Sequence, residues 1–168
     1  PIIDTNGAVG YGLNTETIPG QEFSFTCIDI LTATDIQKYS KNSMSVKITE
    51  GNDVKAQKSC SYIQEDEIGR VLDGFVVAIK IPYDETAATP SFMYDFLKKY
   101  LSEISEEPLK DISGIGAKAF FGNMGPLDGL TVLSSNEKYV FTVSGWTAKN
   151  TETIPEVAKL IDINLNKY

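Results

Sequence analysis

The sequence predicts an α+β domain in which an antiparallel β-sheet is flanked by two or three α-helices. Three observations carry this. Several short runs alternate apolar and polar residues, as half-buried strands do. Two longer runs repeat apolar residues at three- and four-residue steps, as amphipathic helices do. The runs follow one another as strands, helix, strands, helix with hairpin-length joints, and not in the strict alternation of a parallel βαβ sheet.

Residues 1–20 are rich in Gly, Thr and Asn and lack periodicity, so they read as an extended arm or linker. A strand pairing with a neighbouring subunit is the alternative for this segment. Residues 21–168 read as one domain. Glu22–Thr26 alternates and suggests a short strand. A helix is expected to open at Leu31–Ile36, with Thr32 as its N-cap and Asp35 three positions on completing a capping box. Met44, Val46 and Ile48 alternate with polar residues in a half-buried strand. Glu50-Gly51-Asn52-Asp53 then has turn chemistry.

Cys60–Ile63 suggests another short strand. Phe75, Val77, Ile79 and Ile81 form the clearest one, ended by Pro82. Thr89-Pro90 starts the strongest helix, in which Phe92, Phe96, Leu97, Tyr100, Leu101 and Ile104 make one apolar stripe, closed by Glu106-Glu107-Pro108. Lys110–Ser113 is a short extended piece, and Gly114-Ile115-Gly116 is a backbone turn entering a strand. Leu130–Leu133 and Tyr139–Ser144 pair as a hairpin across Ser134–Lys138. Thr153–Leu165 closes the chain as an amphipathic helix with Ile154, Val157, Ala158, Ile161 and Leu165 inward.

Composition narrows function. The net charge is −8, and Arg70 is the single arginine among 15 basic residues, a poor footprint for nucleic acid or an anionic membrane surface. The longest apolar stretch, around Gly74–Ile81, is too short to span a bilayer. There is no histidine, which removes Ser-His-Asp and Cys-His schemes and histidine metal sites. No cofactor motif and no catalytic or metal-ligating set is assigned, and the chain is expected not to be an enzyme. Gly114-Ile115-Gly116 is too short for a dinucleotide fingerprint. Glu65-Asp66-Glu67 lacks the Asp-x-Asp-x-Asp-Gly loop of a calcium site and reads as a solvated acidic loop, as do Glu50, Asp53 and Asp84-Glu85. Trp146, Phe120, Phe121, Tyr139 and Phe141 are core aromatics or, alternatively, a ligand platform. Lys98-Lys99, Lys47, Lys55 and Lys58 read as scattered solubilising lysines.

Cys27 and Cys60 are the only cysteines, in no CxxC spacing. They are either two unrelated buried thiols of a cytosolic protein or a structural disulfide of an oxidising compartment. The start at Pro1-Ile2-Ile3, without Met or an apolar signal core, fits a removed leader or a trimmed chain.

The layout Cys27-Ile-Asp-Ile-Leu31-Thr-Ala-Thr-Asp35, then Cys60-Ser-Tyr62, resembles that of exported bacterial lipoproteins from families of unknown function in the PsbP-like group. The run Ile112–Phe120 is similar to their Gly-hydrophobic-Gly-Asp-x-Ala-aromatic segment, with Ala117 where Asp is often found. The resemblance spans about Phe23 to Leu165. It implies an antiparallel sheet flanked by helices (a PsbP-like fold), a bonded Cys27–Cys60 pair and a place on the outer face of a cytoplasmic membrane. Residue 1 is no anchoring cysteine, so a lipid attachment either lies upstream or does not exist. The expected function is an extracytoplasmic, cell-envelope-associated binding or accessory domain, its ligand or envelope partner unspecified. The alternatives are a structural subunit of an extracellular assembly paired through the N-terminal arm, and a carboxylate- or metal-dependent hydrolase.

Overall fold

The computed structural model describes residues 23–40, 44–54, 56–82, 88–123, 128–146 and 152–168. The expected arm at 1–20 lies outside them, as do Lys55 and the Asp84-Glu85 pair. Among the described residues are seven strands: β1 (Val46–Val54), β2 (Gln57–Glu65), β3 (Val71–Lys80), β4 (Lys110–Ile112), β5 (Lys118–Asn123), β6 (Asp128–Leu133) and β7 (Val140–Gly145). They form one sheet in the order β1-β2-β3-β7-β6-β5-β4, with every neighbouring pair antiparallel. Helices α1 (Cys27–Ile30), α2 (Ala33–Tyr39), α3 (Pro90–Ile104) and α4 (Ile154–Leu165) complete the α+β fold.

That is more than the expected two or three helices, because residues 27–30 close a single helical turn. Thr26, expected in a strand, is instead its N-cap. Its N–H and hydroxyl both donate to the Asp29 carboxylate at 2.7 Å. At α2 the expected capping box is present: Thr32 Oγ1 accepts from Asp35 N–H at 3.1 Å, and Asp35 accepts from Thr32 N–H at 3.1 Å. The expected turn at Glu50–Asp53 is displaced. β1 runs on to Val54 with a bulge between Gly51 and Val54, and the reversal falls at Ala56, where φ is 65°. A bulge lets turn-forming residues stay inside a strand.

Alternation sorts the sheet into two faces. On the first, Cys60, Tyr62, Phe75, Val77, Ile79, Leu130, Phe141 and Val143 are buried. They form one core with Ile30, Leu31, Ile36 and the apolar side of α4. All five residues expected to face inward on α4 are buried. Asp162 of α4 ties the β6–β7 turn down, accepting from Ser135 N–H at 2.8 Å and from its hydroxyl at 2.5 Å.

The second face is covered by α3 over β6 and β7, with Tyr94 and Leu101 packed on Phe120, Leu133 and Val140. The expected single inward stripe of α3 is not what forms. Leu97 and Leu101 pack inward, whereas Phe92, Phe96, Tyr100 and Ile104 are 61%, 60%, 51% and 58% exposed. The i+4 row drifts about 40° around the helix per step, so it leaves the side that Tyr94 and Leu101 turn to the sheet.

The Gly114-Ile115-Gly116 turn forms as expected and leads into β5. Gly116 has φ of 59°, and a Cβ there would stand 2.2 Å from the Leu133 carbonyl oxygen. Only glycine lets β5 approach β6 in this way.

Candidate functional site

A cleft of about 500 Å³ opens at the end of the sheet where β3 stops and β7 begins. Three local structures build it. Ile81 and Pro82 leave β3, the proline lacking the N–H that would continue the ladder. Ala88, Thr89 and Pro90 start α3, where Thr89 Oγ1 accepts from Phe92 N–H at 3.2 Å. Glu137, Lys138 and Tyr139 come from the β6–β7 turn, with Glu137 at φ of 55°. Ser134 shapes that turn: its N–H donates to the Tyr139 carbonyl and its hydroxyl accepts from Tyr139 N–H. Phe23 and Ser24 close the remaining side.

The walls are mainly apolar and are backed by stacked rings. Phe25 meets Phe23, Tyr139 and Tyr168 at centroid separations of 5.4, 5.6 and 5.2 Å. Lys58 lies behind them, 4% exposed, with Nζ 5.6 Å from the Phe23 ring centroid and 5.5 Å from that of Phe25. It donates to the Phe25 carbonyl at 2.7 Å and to Glu50 at 2.5 Å. Glu50 also accepts from Cys27 N–H at 3.0 Å. The two hydrogen bonds hold the Glu50 carboxyl below the usual glutamate range, Lys58 contributing most.

The cleft floor is thereby joined to the disulfide. Cys27 and Cys60 are bonded, with α-carbons 5.5 Å apart. The Tyr62 hydroxyl donates to the Cys27 carbonyl at 2.6 Å, and burial pushes that phenol well above its ordinary pKa, so it stays a donor. Burial raises the Tyr139 phenol as well. The rim is polar: Ser24, Thr89, Glu137 and Lys138 are exposed, and Lys138 Nζ donates to the Tyr168 backbone oxygen at 2.8 Å. The site pairs a mainly apolar hollow, with Phe23 and Tyr139 in its walls, with one lysine and one glutamate at its mouth.

The sequence-derived candidates fall as follows. The aromatic platform is not assembled: Phe120 and Phe141 are fully buried on opposite faces, and Trp146 is 44% exposed at the far end of β7. Tyr139 is the one member in the cleft. In the acidic loop Asp66 accepts from Ile68 N–H, Arg70 N–H and Arg70 Nε, which holds it on its own turn. Among the described residues no group of three Cys, Asp or Glu side chains could hold a metal ion.

Lys58 and Glu50 correct the expectation: neither is a loose surface charge. For Lys58 the signal was its alternation with Cys60, Tyr62 and Gln64, which puts it on the strand face of the cysteine; no local pattern marked Glu50. Phe23 and Ser24 gave no signal, because their place in the cleft depends on long-range packing.

Compared with known protein families, characterised proteins and solved structures, the chain finds no match. Among the described residues no helix is long and apolar enough to cross a membrane.

Proposed function

We propose that this is an extracytoplasmic, envelope-associated accessory domain that binds a small, largely apolar ligand in the cleft between β3, α3 and the β6–β7 turn, without catalysis. The cleft carries the reading: about 500 Å³ of apolar space with Lys138 and Glu137 at its mouth. The Cys27–Cys60 bond supports the compartment, because such bonds persist where thiols oxidise. The resemblance of the cysteine layout to that of exported lipoproteins of the PsbP-like group supports the envelope association.

Anilinonaphthalene sulfonate, an apolar dye with one anionic group, tests the cleft. Saturable one-site binding is expected, weakened about tenfold or more by Ser24→Trp, which fills the hollow from an exposed position. Absence of saturable binding contradicts the proposal. So does binding that ignores Ser24→Trp and is lost with Phe92→Ser and Phe96→Ser, since the dye then sits on α3.

A further inference from the structure

Among the described residues, α3 is the one helix on the second face of the sheet. Seven strands span about 29 Å between the outermost two, whereas one helix covers about 10 Å. α3 lies over β6 and β7. It begins beside Lys138 and Tyr139 at the cleft and ends at the opposite end of the sheet, where Leu109 packs on Gly122. Its charged flank faces β4 and β5: Lys98 pairs with Asp111 at 2.5 Å and Asp95 with Lys118 at 3.0 Å. The row Phe92, Phe96, Tyr100 and Ile104 starts on the solvent side of α3 at Phe92 and, drifting about 40° per step, reaches the flank away from β4 and β5 at Ile104. Ser61, Ile63, Val76 and Ala78 of β2 and β3 on this face are half-buried.

We infer that this row of α3 is a self-association surface, closed by the same stripe of a second copy of the chain. Shape is the first ground. A row of i+4 residues is a ridge, and two identical ridges interdigitate at about −50°, which suits a two-fold, self-complementary contact. Area is the second. Four side chains at 51–61% exposure present roughly 450 Å² of mainly apolar surface, the size of the largest patch on a typical monomer, which is often functional. Two copies bury at most about 900 Å² through the stripe, above most packing contacts and in the range of a weak, concentration-dependent association.

Charge is the third ground. The stripe is uncharged, and the charges bordering it on the solvent side, Lys99 and Glu103, are opposite in sign. A membrane surface fits less well. Helices that lie in the interface carry an excess of Lys and Arg, whereas α3 balances Lys98 and Lys99 against Asp95 and Glu103 in a chain of net charge −8. This surface is separate from the cleft, so either proposal can fail alone.

Sedimentation velocity of the full chain over a range of concentrations tests it. A species of twice the chain mass is expected, growing with concentration and with added salt as repulsion between two acidic copies is screened. Phe96→Ser with Tyr100→Ser, both at exposed positions, should raise the dissociation constant at least about tenfold. Ser24→Trp should leave it unchanged. Circular dichroism verifies that the variants keep their fold, and Phe92→Lys supplies a second lesion if one does not. A monomer at every concentration, or a dimer indifferent to these substitutions, overturns the inference. So does a monomer that co-sediments with phosphatidylcholine vesicles through the same residues.

Discussion

Lys58 is the residue whose environment is most demanding. An ammonium that is 4% exposed is tolerated because it has the Phe25 carbonyl, the Glu50 carboxylate and two ring faces around it. The two partners are not equivalent. Glu50 keeps 31% of its side chain exposed and also holds Cys27 N–H, so it can turn to water when Lys58 is lost. Lys58 has no such outlet. Glu50→Gln should therefore cost more, about 2–3 kcal/mol, than Lys58→Met, about 1 kcal/mol, in urea unfolding. The pH dependence follows with its sign. A carboxyl depressed in the folded state contributes stability above its unfolded value of 4.5, which is lost as pH falls through the lower folded value. Acid titration of unfolding should show this loss in the parent chain and lack it in Glu50→Gln.

At the scale of elements, local chemistry was legible and orientation was not. The Thr32–Asp35 box, Pro90 in the first turn of α3, Pro82 after β3 and the five inward residues of α4 all formed as sequence rules require. Each depends on residues within a few positions of one another. The turn at Glu50–Asp53 was misplaced because a bulge keeps strong turn formers inside a strand. The α3 stripe was misread because hydrophobic periodicity gives an apolar arc and says nothing of how much of it a neighbour covers. Two glycines test the turn before β5. Gly114→Ala meets open space at φ of 80° and should cost about 1 kcal/mol in strain alone. Gly116→Ala meets the Leu133 carbonyl at 2.2 Å as well, and should cost about 3 kcal/mol or more, read by chemical denaturation.

At the scale of the molecule, the cleft was illegible because its parts come from Phe23, the end of β3, the start of α3 and the β6–β7 turn. Only the β3-to-β7 adjacency brings them together, and no local pattern specifies that pairing across an intervening helix and three strands. The same adjacency sets the floor of the site on the bonded half of the core. Closing a loop between Cys27 and Cys60, 33 positions apart, removes about 3.5–4 kcal/mol of unfolded-chain entropy. That is a large share of the roughly 5–15 kcal/mol that holds a domain together. Oxidised sulfurs at 27 and 60 are thus what the proposed extracytoplasmic placement and a large share of the fold's stability rest on.

Intact-mass measurement after alkylation tests this most directly, on protein isolated from its native source without reductant. Such protein should take up no alkylating agent until it is unfolded and reduced, and then two equivalents. Two adducts on the unfolded but unreduced chain would mean free thiols, and would contradict both the extracytoplasmic placement and the disulfide-backed site.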